Sequence, residues 1–326
     1  MHVLCTGAGG MIGRKLVARL IKDGALGGRP ISRLTLLDIE APDVPAGAGD
    51  NVDTAAVDLS MLGAGARAIA DAPEVIFHLA AVVSGEAELD FEKGYAANCA
   101  ATRSLLEAIR QVGDYRPKLV FASSIAVYGA PFPDAITDDF IRAPLTSYGT
   151  QKAICELMLA DYSRRGFLDA VGIRLPTIVV RPGKPNKAAS SFFSSIIREP
   201  LAGQEAVLPV AESVRHWFAS PRAAVAFLVH AAGLGREQLG PHINVTMPGF
   251  SCTVGEQIAA LARIAGPKVA ARIRRAPDAL VERIVAGWPQ NFHVRRAAEL
   301  GFVAEKSFDD IIRAHIEDEL GGTFAA

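Results

Sequence analysis

Cysteine, net charge and long apolar runs are all scarce in this chain, and each shortage removes a class of function. The four cysteines among 326 residues, Cys5, Cys99, Cys155 and Cys252, form no Cys-x-x-Cys pair. Disulfide frameworks and zinc sites depend on closer pairing, so reduced thiols and no metal are expected. A formal charge of −1 supplies no long-range field for nucleic acid or an anionic membrane. The local basic stretch Lys268 to Arg275 alternates with apolar residues, as a solvated helix face does. No apolar run reaches the roughly 18 residues that span a bilayer. A first strand starting at His2 leaves no room for a signal peptide, and a cytoplasmic protein is expected. Internal repeats and low-complexity tracts are missing as well.

What the chain does have is hydrophobic residues, half of the total, enough for one large core or two smaller ones. Short apolar runs alternate with amphipathic stretches: His2 to Cys5, then Ile12 to Asp23; Arg33 to Ile39; Asp53 to Val57, then Met61 to Ala70; Val75 to Ala81, then Glu86 to Val112. Lys118 to Ser123, Ser147 to Arg165 and Ala170 to Val180 continue the rhythm. Continuous apolar strands joined by helical crossovers predict an α/β fold, a Rossmann-type doubly wound parallel sheet. The character changes after Arg181, where a smaller C-terminal substrate lobe begins. The expected division is a nucleotide-binding domain of residues 1–180 plus about 216–246, and a lobe of 181–215 plus about 247–326. Ala219 to Gly233 reads as a helix returning to the first domain, and residues 251–326 as mostly helical.

Thr6-Gly7-Ala8-Gly9-Gly10-Met11-Ile12-Gly13 joins the first strand to the first helix. Glycines 7, 10 and 13 permit a tight turn, close approach to a pyrophosphate and close helix packing, with Met11 and Ile12 opening the helix toward the anion. Asp38 ends the second strand, where a carboxylate accepts hydrogen bonds from the adenosine ribose. The 31 residues from Gly7 to Asp38 exceed the usual spacing of about 20, and the loop Gly24 to Ser32 accounts for the excess. Asp38 repels a ribose phosphate, and Ile39-Glu40 supplies no compensating arginine, so NAD is expected over NADP. Asp58-Leu59 and Leu79-Ala80-Ala81 sit where the adenine and ribose are bordered. His78 reads as a core histidine, since catalysis also requires reach and a partner. Asn98, a poor helix residue, is expected to hydrogen-bond nearby backbone and hold the catalytic strand.

Tyr148 and Lys152 are four residues apart on a helix, which places phenol and ammonium on one face. A cation there favours the phenolate. With Ser123-Ser124 upstream, the pattern resembles the extended short-chain dehydrogenase/reductase family over nearly the whole chain. The glycine turn, Asp38, Asp58-Leu59, His78-Leu79-Ala80-Ala81, Asn98, Ser123 to Gly129 and Tyr148 with Lys152 occur in that family's order. The resemblance implies that Ser124 binds the reacting oxygen, that Tyr148 is the acid/base, and that Lys152 binds ribose and tunes the tyrosine. Pro176 and Ile178 are implied to border the nicotinamide, and a homodimer through the two long helices is implied.

For the substrate, Thr177 stands near a position where members acting on nucleotide sugars carry asparagine, which weakens that reading. Arg181, Lys184, Arg215 and Arg222 are candidate cations, and a guanidinium suits a carboxylate through paired hydrogen bonds. For Arg181 and Arg222, pairing with protein acids is an equal alternative. Ser84 is a candidate hydroxyl contact, with Ser124, Tyr148 and Thr177. The run from Arg181 to Leu201, with Arg215-His216-Trp217 and Ser220-Pro221-Arg222, is similar to a narrower branch of dehydrogenases acting on D-erythronate. That likeness implies oxidation of a small sugar acid at carbon 2. Two alternatives stay open: a nucleotide-sugar epimerase or dehydratase with transient cofactor reduction, and a non-catalytic NAD-sensing protein. Whether His216 and Trp217 line a pocket or pack beneath it is undecided at this level.

Overall fold

A computed structural model describes residues 1–183 and 190–325. Two compact units share the chain: Met1–Val127 with Pro144–Leu175 and Val225–Thr246, and Tyr128–Ala143 with Pro176–Ala224 and Met247–Ala326. The first unit therefore ends its main run at Leu175 rather than 180, and Tyr128–Ala143 joins the second. There Tyr128 packs on the rings of Phe140 and Phe292 at 6.0 and 5.8 Å.

In the first unit, β1 (His2–Thr6), β2 (Arg33–Asp38), β3 (Val52–Ala56), β4 (Val75–His78), β5 (Lys118–Ser124), β6 (Asp169–Leu175) and an edge strand Asn244–Thr246 form one sheet. The spatial order is Asn244–Thr246, β6, β5, β4, β1, β2, β3, and every pairing is parallel. The strand order reverses direction at β1, so the crevice at the carboxyl ends of β1 and β4 is the topological switch point where such sheets bind ligands. Flanking helices include α1 (Met11–Asp23), α2 (Ala64–Ala68), α3 (Ala101–Gln111) and α4 (Ser147–Arg164). Leu4, Ile76, Leu105, Phe121 and Leu159 meet in the core between sheet and helices.

Two helical stretches and one strand expected from the sequence differ in extent. Gly63 adopts a left-handed φ of 75° and starts α2 at Ala64, so the helix expected from Met61 is short. The stretch expected from Glu86 to Val112 is broken at Asp90, whose extended backbone and side-chain bond to Lys93 N begin a new turn. A π-helical turn, Tyr95–Ala100, precedes α3; such wide turns recur at functional sites. The strand expected to run to Val180 stops at Leu175, because Pro176 has no N–H for a central ladder.

The second unit has its own core. Strands β7 (Thr177–Ile178), β8 (Arg215–Ala219) and β9 (Phe250–Thr253) form a sheet with β8 central. Helices α5 (Ser191–Leu201), α6 (Val254–Ala265) and α7 (Phe308–Leu320) bury Phe193, Ile196, Leu261 and Ile312 with Phe218. The region after residue 251 is thus part strand, with Ile273–Arg275 pairing to Ala206–Leu208.

Candidate active site

The glycine turn is shaped by contacts that only hydrogen allows. Gly7 has φ +75°, and a Cβ there would fall 2.5 Å from Ala80 N, because β1 and β4 are neighbours and Leu79 N bonds Thr6 O at 3.0 Å. At Gly13 a Cβ would lie 2.1 Å from Gly7 O. Gly10 caps α1 without a side chain, and no acidic residue occupies the helix's first turn. The exposed N–H groups at that helix start suit a pyrophosphate, so the residues present fit NAD. Asp38 accepts from Gly9 N at 2.9 Å and Ile39 N at 2.7 Å, one bond per carboxylate oxygen. A second lone pair on each oxygen is available to ribose hydroxyls. Asp58 organises its own turn through Ser60 N and Oγ at 2.9 and 2.6 Å, while Leu59 is buried.

Helix α4, which carries Tyr148 and Lys152, starts under two constraints. Thr146 caps it by accepting from Gly149 N at 3.1 Å, and Gly149 approaches the Ala126 carbonyl so closely that a Cβ would sit 2.1 Å away. Tyr148 and Lys152 share the face predicted. Lys152 is buried, donates to Ala122 O at 2.8 Å, and places Nζ 5.7 Å from the Tyr148 ring centre and 4.8 Å from that of Phe121. Its other two N–H groups have no protein acceptor among the described residues.

The two adjacent serines separate cleanly. Ser123 is buried and donates to Glu156 at 2.6 Å. Half-buried Ser124 accepts from Ala126 N at 3.1 Å, which orients Oγ and leaves its own proton to donate. Glu156 also receives two bonds of 2.8 Å from Arg174, forming a buried ion pair that ties α4 to β5 and β6. Sequence reasoning passed over Glu156, although its place four residues after Lys152 is a usable helical signal.

His78 is a core residue. Thr102 Oγ1 gives its proton to Asn98 O at 2.6 Å, so toward His78 Nε2, 3.0 Å away, it accepts. Nε2 therefore carries the hydrogen, and Nδ1 accepts from Thr6 Oγ1 at 2.7 Å. Burial, with the Lys152 charge acting the same way, pushes this imidazole from 6.5 down to about 3. Asn98 does hold backbone, but that of the loop after β4 rather than the catalytic strand: Oδ1 accepts from Val82 N at 2.9 Å. Gln151, missed in the sequence, receives Asn98 Nδ2 at 2.6 Å. Ser84 opens the short helix that follows this loop.

In the second unit Pro176 and Ile178 are buried on either side of half-buried Thr177. Thr177 Oγ1 lies 2.6 Å from His216 Nε2, and His216 stacks on Phe193 with ring centres 5.4 Å apart. Trp217 donates to Met247 O at 3.3 Å, so both side chains are packed within this unit. Arg181 donates to Ile178 O and Ser190 Oγ at 3.0 and 3.2 Å. Arg215 is matched by Glu256 at 3.1 Å. Arg222 pairs with Glu317 and Asp318 at the surface, which removes it from the candidate pocket cations. Lys184 lies outside the described residues.

All four cysteines are free thiols. Among the described residues no helix is long and apolar enough to cross a membrane, and no group of three or more His, Cys, Asp or Glu is placed to hold a metal.

Comparison with known proteins agrees with this geometry. D-erythronate dehydrogenase of Cupriavidus necator is 49% identical over 98% of both chains. D-erythronate dehydrogenase of Haemophilus influenzae is 39% identical over 98% of this chain and all of the relative. A crystal structure described as the nucleoside-diphosphate-sugar epimerase from Agrobacterium tumefaciens is 60% identical, covers 99% of this chain and 95% of its own, and superimposes with a TM-score of 0.97. The model of the NAD dependent epimerase/dehydratase family matches residues 3–245, and with the glycine turn, Asp38, Ser124, Tyr148 and Lys152 in place the chain belongs to that family.

Proposed function

We propose that this protein oxidises D-erythronate at carbon 2 to the 2-oxo acid, using Ser124, Tyr148 and Lys152. The observation that carries the chemistry is the buried Lys152, anchored to Ala122 O and directed at the ring of Tyr148. Ser124 donates its hydroxyl proton to the substrate oxygen and fixes it. Tyr148 removes the carbon 2 hydroxyl proton as the C–H bond breaks. The Lys152 ammonium stands on the same helix face as that phenol, with Nζ 5.7 Å from its ring centre. Bound NAD supplies the acceptor for the hydride, completing a two-electron oxidation. Gly7, Gly10, Gly13 and Asp38 hold that dinucleotide, with Leu79 to Ala81 bordering it. Holding the reacting atoms about 3–3.5 Å apart makes the transfer effectively intramolecular.

For the substrate carboxylate the proposal retains both Arg181 and Arg215 as candidate cations. The two D-erythronate dehydrogenase relatives, similar along almost the whole chain, support the substrate. The epimerase name of the Agrobacterium structure keeps a second reading in play. Thr177 in place of asparagine speaks against it.

Purified protein mixed with NAD and D-erythronate is expected to accumulate NADH steadily, and Tyr148→Phe to lose at least about 100-fold of that rate while still binding NAD. Epimerised nucleotide sugar without net NADH would overturn the assignment. The protein is further proposed to be a homodimer. Tyr95, Cys99, Arg103, Ile154 and Met158 line a groove of about 820 Å³ along α3 and α4, beside the exposed Leu157. Sedimentation is expected to give twice the chain mass, and Leu157→Arg to shift it toward the monomer.

A further inference from the structure

Gln151 is fully buried between Tyr148 and Lys152 on α4. Among the described residues its side-chain nitrogen has no hydrogen-bond partner, a costly arrangement for an amide. A Cβ at Gly94 would stand 2.6 Å from that nitrogen and 3.1 Å from the Ala87 methyl, so glycine at this position makes the room the amide occupies. A leucine or methionine would fill the same space without an unpaired donor, so packing alone does not explain the choice.

The hydrogen-bond accounting assigns the other end of the amide a task. Val82 N–H can only donate, so the Asn98 atom it meets at 2.9 Å is the oxygen. Asn98 Nδ2 must then donate, and at 2.6 Å it finds Gln151 Oε1; its contact to Val82 O is longer, 3.4 Å. The backbone around this pair is cross-tied in both directions. Cys99 Sγ donates to Gln151 O at 3.7 Å and Cys155 Sγ to Asn98 O at 3.3 Å. Asn98 sits in the π-helical turn Tyr95–Ala100, and its carbonyl accepts from Thr102 as well.

We infer that Gln151 is a positioning residue for hydride transfer: through Asn98 it locks the loop at Val82, which follows the cofactor-bordering Leu79 to Ala81, to the helix that carries Tyr148 and Lys152. The inference rests on the catalytic reading above. Cofactor loop and acid/base helix are separate elements, and a relative slip of about 1 Å costs up to roughly 100-fold in rate. The Gln151 and Asn98 amides form the bond that resists it.

Two variants test this. Gln151→Met keeps the shape and removes the acceptor. Gln151→Glu keeps an oxygen for Asn98 Nδ2 and removes the unpaired N–H₂. Gln151→Met is expected to weaken NAD binding about 10-fold, the worth of one such hydrogen bond, and to lower kcat by about 10–100-fold, with KM for D-erythronate changed far less. Gln151→Glu is expected to recover NAD affinity to within a few fold of the parent. Both are to be measured by NAD titration as well as turnover. Parent-like NAD affinity and kcat in Gln151→Met would overturn the inference, as would equal loss in both variants. Should Gln151→Met not fold, near-parental NAD affinity in Gln151→Glu supports the role and a 10-fold loss refutes it. If the parent protein makes no NADH from D-erythronate, the substrate reading fails, while the NAD titrations still decide the role of Gln151.

Discussion

The two units spend their buried polar groups differently. In the first, polar side chains form linked networks near Tyr148 and Lys152: Thr6, His78, Thr102, Asn98 and Gln151 in one chain, Ser123, Glu156 and Arg174 in another. In the second, the centre is aromatic, with His216 enclosed by Phe193, Phe218 and Trp288. Most of its ion pairs lie toward solvent, as at Arg222 with Asp318 and Arg274 with Glu205, while Arg198 with Glu199 is largely buried. A dinucleotide presents the same phosphates and riboses to any member of the family, so a unit that holds it gains from backbone fixed by cross-bracing. Polar networks in a low-dielectric interior supply that rigidity, at the cost of any member left unpaired, as Gln151 Nε2 is among the described residues.

The strongest way to break the contrast is to remove one member of the ionic bracket. Glu156 is entirely buried and Arg174 nearly so, and Glu156→Gln would remove the charge that opposes the Arg174 guanidinium in the core. The expected loss is about 3–5 kcal/mol of unfolding free energy, measured by urea unfolding followed in circular dichroism. The effect also reaches the site, because Ser123 precedes Ser124 and loses its charged acceptor. A loss below about 1 kcal/mol, typical of a surface pair, would show that the bracket is no stronger than the exposed pairs of the second unit.

The same contrast explains what the sequence discloses. Gly7, Gly10, Gly13, Asp38, Tyr148 and Lys152 act through spacing along one strand, turn or helix, and the period of that element is written locally. The doubly wound sheet was legible for the same reason: apolar strand alternates with helix at every step. Gln151 and Glu156 lie on the very helix that was singled out, yet their partners, Asn98 and Arg174, are 53 and 18 residues away, and no local pattern pairs them. The second unit is harder still. Arg215 meets Glu256 across 41 residues and Arg222 meets Asp318 across 96, so free cation and paired cation read alike in one dimension. The break at Asp90 and the π-helical turn were hidden by helix-compatible residues on both sides; Asp90 caps a new turn through Lys93 N, while Asn98 in the π-helical turn makes tertiary bonds to Val82 and Gln151.

The two buried histidines compare the units under one condition, acid. Burial holds His78 down from 6.5 to about 3 and His216 down to about 4. The unfolded chain takes up a proton near pH 6.5 and the folded imidazoles do not, so below that value protons favour unfolding. Each contribution is fully present above about pH 6.5 and drains away as pH falls toward the folded value. From pH 7 to pH 5 the loss is about 2 kcal/mol per imidazole, at 1.36 kcal/mol per unit below 6.5. The only two tryptophans, Trp217 and Trp288, both belong to the second unit, so their fluorescence follows that unit while circular dichroism follows both. His216→Gln is expected to flatten the acid dependence of the fluorescence-monitored unfolding free energy. His78→Gln is expected to flatten the dichroism-monitored dependence, and to do so over the wider range, because below about pH 4 the folded His216 takes up its own proton and its slope ends while that of His78 continues toward 3. An acid slope unchanged by His78→Gln would mean that the folded imidazole is already protonated, and with it the proton assignment through Thr102 and Asn98 would fail.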